Sequence, residues 1–352
     1  MDRKGSGKLD IREAFKEIKA GKFRPVYVLY GKDRYRMGQF IDALTGFMFA
    51  QEEREMGIVK FDTAESALDE AVLEAETPPF FIERKLVLIR DVSVMAAGGK
   101  ENTKLEHRPE TLLRYMDNPL PSSVIVFAVH ADKLDERRKL VKALKDRGSL
   151  VAFPEMEIQE LKQWLVKRAA EQKRTLTAAA AELLITRVGV GTGQLSQEVD
   201  KLCLHAGEGG VIDAEQTALL TAATVEEDVF ALIDAIAELR IDKALGMYHQ
   251  LLVRREEPIK IAALIARQLR IMLQIKELEG HHYSPQQMAG HLGLHPYAVK
   301  LAAEKAKKFA TARLGALLAA LAELDYNMKS GLIDKALGLE LYLLSLGVSK
   351  GA

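Results

Sequence analysis

Pro25-Val26-Tyr27-Val28-Leu29-Tyr30-Gly31-Lys32-Asp33-Arg34-Tyr35-Arg36-Met37-Gly38 is the stretch that decides the fold. Residues 25–30 run apolar without the alternation of a half-wet strand, so they predict a strand buried on both faces. Gly31 ends it, and the spacing of Phe40, Ile41 and Leu44 predicts a helix beyond. Upstream, Asp10 predicts an N-cap, with Glu13 three residues on, for a helix carrying Phe15 and Ile18 and stopping at Gly21. Downstream the alternation repeats, with strands at 58–61, 85–89, 124–129 and 150–153 and helices at 64–75, 111–116 and 137–144. Apolar strands spaced by helices make a parallel sheet covered on both faces. Pro154 closes the unit.

Beyond Pro154 the strand signal disappears and helical periods run to the end. Gly189-Val190-Gly191-Thr192-Gly193 splits an early helical pair, Gly207 to Gly210 marks a second break, and the last helix covers 337–346. The fold class is therefore α/β plus all-α, in three bodies: an α/β domain at 1–153, a small helical domain at 154–213 and a larger helical domain at 214–352. The segment 95–110, with Gly98 and Gly99, is expected to be an exposed insertion loop.

The chain has 352 residues, enough for two or three cores, and its 50 Lys+Arg balance its 50 Asp+Glu. A neutral total argues against a surface built wholly for nucleic acid and leaves room for a local basic patch. Cys203 is the single cysteine, so neither an internal disulfide nor a zinc knuckle is available, which fits a reducing cytosol. No apolar run approaches a membrane span, since Leu314 to Ala322 is short and broken by Glu323. The polar lead Met1 to Lys8 has no apolar core behind it and does not read as a signal peptide. A cytoplasmic, membrane-free protein is expected.

A nucleotide site is the first chemistry to test in such a sheet. A phosphate-binding loop needs several glycines followed by Lys-Ser/Thr; here only Gly31 is present. Asp33 puts negative charge where phosphate would lie, and Arg34 and Tyr35 fill the space. A metal-binding carboxylate pair after the third strand is missing too, because Val92 follows Asp91. Lys32 reads as a solvated lysine. The scaffold suits nucleotides, and the site is absent.

Four histidines, His281, His282, His291 and His295, cluster in one stretch, the last two at i, i+4. There is no Glu after His291 and Pro296 interrupts, so no metal is expected. The same stretch fits a helix-turn-helix with Met288, Ala289, Leu292, Val299 and Leu301 as core and Lys300, Lys305, Lys307 and Lys308 as a basic face. The favoured reading is two bundle helices meeting at a tight turn, with the lysines solvated. No nucleophile constellation stands out, and Glu52-Glu53, Glu226-Glu227 and Glu256-Glu257 read as solvated faces or helix starts.

Thr77-Pro78-Pro79-Phe80-Phe81-Ile82 is out of place. Adjacent phenylalanines cannot share one face of a regular element, and the double proline stiffens the approach. The rings either cap the sheet core or are offered outward as a hydrophobic anchor.

Taken in order, these stretches resemble the delta subunits of bacterial DNA polymerase III. The resemblance rests on Pro25 to Gly31, on Phe80-Phe81 ahead of Arg84 to Leu88, and on Leu195 to Leu202. It continues through Asp228 to Leu232, Pro258 to Leu278, Gly293 to Tyr297, and Leu324 to Leu341 with Lys329-Ser330-Gly331. It implies a degenerate AAA+-type α/β domain without a P-loop at 1–153, a lid at 154–213, and a collar at 214–352 that packs into a ring of subunits. It implies a clamp-loader subunit that binds and opens the ring-shaped sliding clamp during DNA replication and hydrolyses no ATP itself. Phe80 and Phe81, flanked by Pro79 and Ile82, match the family's hydrophobic wedge; relatives commonly have Leu-Phe, so Phe80 departs from the pattern. The implied partners are the clamp, the loader ATPase subunits with delta prime through the collar, and primer–template DNA facing Lys300, Lys305, Lys307, Lys308 and Lys329. No catalytic residue, cofactor or metal is expected, although the holoenzyme it would join is a DNA-directed DNA polymerase, a nucleotidyltransferase. The competing readings are a helix-turn-helix DNA-binding protein and a nucleotide-dependent enzyme with an atypical loop.

Overall fold

A computed structural model describes residues 8–90, 92, 95–97, 107–222 and 225–348. Met1 to Gly7, Asp91, Gly98 and Gly99, read above from the sequence, lie outside these. The chain divides into two units, Met1–Met156 and Glu157–Ala352.

The first unit runs β1 (Lys8–Leu9), α1 (Ile11–Lys19), β2 (Val26–Tyr30), α2 (Arg34–Met48), α3 (Arg54–Gly57), β3 (Ile58–Asp62), α4 (Leu68–Glu76), β4 (Lys85–Arg90), α5 (Pro109–Tyr115), β5 (Ser123–Val129), α6 (Lys139–Asp146) and β6 (Leu150–Ala152). The sheet is parallel in the order β1-β6-β2-β5-β4-β3. Period-two alternation sends Val26, Val28, Val87, Ile89, Ile125 and Phe127 toward α4, α5 and α6. Tyr27, Leu29, Leu86, Leu88, Val124 and Val126 face α1 and α2 on the other side. Both faces are covered, which is why the strands lack polar positions.

Local chemistry sets the boundaries. Asp10 caps α1 by accepting from the Arg12 and Glu13 amides, and Gly21 leaves it at φ +70°. The helix expected from residue 64 begins at Leu68 instead. Asp62 holds the intervening residues in a turn, its carboxylate accepting from the Ala64 amide and its carbonyl from the Glu65 and Ser66 amides. The expected loop at 95–110 also needs correction at its start: Met95 is buried, and Ala96 bridges to Leu134.

The second unit holds α7 (Ile158–Glu171), β7 (Thr175–Leu176), α8 (Ala178–Val188), α9 (Thr192–Ala206), β8 (Val211–Ile212), α10 (Ala214–Leu220), α11 (Val225–Ala237), α12 (Ile241–Val253), α13 (Pro258–Gly280), α14 (Pro285–Leu292), α15 (Pro296–Ala306), α16 (Thr311–Lys329) and α17 (Lys335–Val348). The strand signal does not vanish here: β7 and β8 pair in parallel between α7 and α10. Helix α10 packs on α8 and α9. Helices α11, α12, α13, α16 and α17 share one core, while the end of α13 joins α14 and α15 around Ile275, Met288 and Val299.

Candidate protein-docking site

The turn after β2 spends amides on hydrogen bonds of its own. The Gly31 amide donates to the Ala131 carbonyl at 2.9 Å and the Asp33 amide to the Phe153 carbonyl at 3.1 Å. Buried Asp33 caps α2, accepting from the Arg36 amide at 3.0 Å and pairing with Arg36 Nε at 2.6 Å, while the Arg36 guanidinium also reaches the Pro154 carbonyl. A carboxylate therefore sits on the helix N-terminus, where a phosphate would bind. Gly31, at φ +133°, is required by close packing, since a Cβ there would lie 2.1 Å from the Phe153 carbonyl oxygen. Lys32 is half-exposed, 3.7 Å from the Glu155 carboxylate.

The histidine cluster is dispersed. His291 stacks edge-on with Tyr283 at 5.0 Å, Gly293 ends α14 in the left-handed region, and buried His295 caps α15 by accepting from the Tyr297 amide. The i, i+4 pair is thus split between two helices. Among the described residues no group of three or more His, Cys, Asp or Glu is arranged to hold a metal.

The lysines expected on a DNA-facing surface are mostly committed to acids of the same chain. Lys305 pairs with Asp234 and lies over the Phe230 ring. Lys308 bridges Asp234 and Glu238, Lys307 meets Glu304, and Lys329 meets Asp325 at 2.7 Å. Lys300 is exposed. In the expected helix-turn-helix core, Leu301 is exposed and the buried position is Ala302. Val299 is buried as expected, so only one position is reassigned, from Leu301 to Ala302, which shares the face of Val299. Glu226 and Glu227 lie in the first turn of α11, a helix start as expected; burial raises the Glu227 carboxyl above its ordinary value, with Asp228 adding to the rise and Arg187 and Lys305 opposing it.

The loop between α4 and β4 offers its rings outward. Phe80 is 92% exposed and Phe81 85%, and the two meet edge-to-face at 5.3 Å. Both can point to solvent because neither belongs to a helix or strand. What holds them out is the loop's footing. On the α4 side, the Thr77 amide and hydroxyl both donate to the Leu73 carbonyl. On the β4 side, the Lys85 amide donates to the Ser122 carbonyl at 2.8 Å, and the buried Lys85 ammonium reaches Glu74 at 2.6 Å. Arg84 lies 4.9 Å above the Phe23 ring. Pro79 is half-buried, and Ile82, expected beside the wedge, turns its side chain partly into the sheet core as an anchor. Two aromatic rings held in water can bury about 150–250 Å² each on a partner.

The two exposed rings thus stand on a hydrogen-bonded loop at the edge of an α/β scaffold. Models of the "DNA polymerase III, delta subunit" and its "C-terminal domain" match residues 27–153 and 226–346. DNA polymerase III subunit delta of Bacillus subtilis is 36% identical over 336 residues, 96% of each chain. A probable DNA polymerase III subunit delta of Aquifex aeolicus is 20% identical over 258 residues, 72% of this chain and 71% of its own. The solved Bacillus subtilis DNA clamp loader delta protein superposes with a TM-score of 0.78, covering 95% of this chain and 98% of that one. The chain belongs to the DNA polymerase III delta subunit family.

Loop bracing by Lys85, Glu74 and Arg84 was not foreseen. The available signal was a lysine at the start of an otherwise apolar strand, a position that requires an acid partner once buried.

Proposed function

We propose that this chain is the clamp-loader subunit that binds and opens the ring-shaped sliding clamp during DNA replication, with Phe80 and Phe81 as the wedge. The observation that carries this reading is the pair of rings exposed on a braced loop. Covering each is worth roughly 1.5–3 kcal/mol. A ring-shaped partner has closed and open states, and a ligand shifts their balance only by its differential affinity for them. The wedge supplies affinity; the stiff sheet behind it supplies the difference by misfitting the closed ring.

The protein does not hydrolyse ATP in this reading, which the self-satisfied turn at Gly31–Arg36 supports. Helices α7–α10 act as the lid and α11–α17 as the collar that joins the loader ATPase subunits and delta prime; packing of α10 on α8 favours a boundary after α10 rather than at 213. Primer–template DNA is a partner of the assembled complex, and the cytoplasm is its place. Among the described residues no helix is long and apolar enough to cross a membrane.

Capture of purified sliding clamp by the wild-type chain and by the Phe80→Ala, Phe81→Ala double variant tests the reading. Loss of capture by a folded double variant is expected. Equal capture would sink it.

A further inference from the structure

Beside the wedge loop lies a groove of about 290 Å³, lined by Phe47, Phe49, Glu53, Ile82, Glu83 and Arg84. Its floor is fixed. Phe49 is buried so tightly against Gly57 that a Cβ there would come 2.4 Å from the Phe49 ring. Its rim is open, with Phe47 49% exposed at the end of α2 and Glu83 exposed on the loop. Glu53 is held in place by accepting from the Ala50 amide at 3.0 Å, and Arg84 by the Phe23 ring.

The wedge alone is too small an interface. Two phenylalanine rings cover about 300–500 Å², whereas each side of a stable complex contributes about 800 Å². The missing area must lie next to Phe80 and Phe81. Ile82, Glu83 and Arg84 line the groove and directly follow Phe81, and three residues of chain reach at most about 10 Å, so the groove is within reach of a partner seated on Phe81.

We propose that this groove is the second half of the wedge's footprint, occupied by the same partner. The groove's lining is mainly polar and carries two carboxylates against the one Arg84 guanidinium, so a cationic side chain of the clamp enters beside Glu83 and Glu53 while the same partner covers Phe47 at the rim. The inference rests on the wedge reading and adds a specificity-determining surface to it.

The test measures affinity for purified sliding clamp, at two salt concentrations, for the full chain carrying Phe47→Ala, Glu83→Lys or Phe81→Ala. Phe47→Ala should weaken binding about tenfold. Glu83→Lys should weaken it severalfold and more at low salt than at high. If Phe81→Ala weakens binding while both groove variants bind like wild type, the groove is overturned and the wedge stands. If no variant weakens it, both fall. Should Phe47→Ala melt early, Glu83→Lys, a change at an exposed residue, decides alone. Self-association of the free chain that Phe47→Ala abolishes, with clamp affinity unchanged, would make a second copy the occupant and overturn the proposal.

Discussion

Lys85 and Glu74 meet at 2.6 Å at the foot of the loop that carries the exposed rings, joining the first residue of β4 to the last turn of α4. The lysine side chain is only 5% exposed and the glutamate 35%. The pair ties both ends of the loop to each other. It is asymmetric, because only the cation depends on its partner for solvation.

Glu74→Ala should therefore cost more than Lys85→Met. Removing the acid strands a buried ammonium, a loss of about 2–3 kcal/mol, while replacing the lysine with an apolar chain of similar length costs about 1 kcal/mol or less. Urea unfolding of the two variants checks the order.

Gly31→Ala should destabilise the protein by about 3 kcal/mol or more, since the new methyl meets a backbone carbonyl at 2.1 Å and φ is +133°. Gly21→Ala, at φ +70° with nothing within 4 Å, should cost only about 1 kcal/mol. The contrast in unfolding midpoints separates close packing from backbone strain.

ATP with magnesium should leave the melting temperature unchanged. A nucleotide present at a hundredfold excess over its dissociation constant would add about 2.7 kcal/mol to stability. The Asp33 carboxylate and the occupied amides of Gly31 and Asp33 predict no such gain. An upward shift would revive the enzyme reading.

Acidity should separate wild type from Glu227→Gln. Burial raises the Glu227 carboxyl above its unfolded value, so protonation favours the folded state as pH falls from the raised value toward about 4.5. Glu17, Asp135 and Glu238 work in the opposite sense, each held low by side-chain hydrogen bonds from Arg24, Arg137 and Lys308 respectively. The difference between the two proteins isolates Glu227. The variant should be the more stable at neutral pH, and its advantage should shrink across that window, read by thermal melts at several pH values.

Much of this molecule was legible in the chain. Long apolar runs such as 124–129 admit one reading, a strand buried on both faces, and the double proline followed by two phenylalanines marked an irregular loop. The short elements were not legible. Two residues have no period, so β1, β7 and β8 left no trace in the pattern. Nor could local sequence decide whether Phe80 and Phe81 faced the core or water. That depends on bonds from Lys85 to Glu74 and Ser122, and the Ser122 carbonyl lies 37 positions along the chain. The turn at Gly293 was readable; Leu301 was misplaced because it lies two residues from Val299, on another face of the helix, whereas Ala302 at i+3 shares the face that packs on α13.

The loop carrying the rings runs straight into β4, which is hydrogen-bonded on one side to β3 and on the other to β5. Tension applied at Phe81 would travel along that strand and load both ladders in shear, many bonds at once, instead of peeling an edge strand bond by bond. The handle is mounted where the body is hardest to tear. Under mechanical load, whatever grips it should give way first.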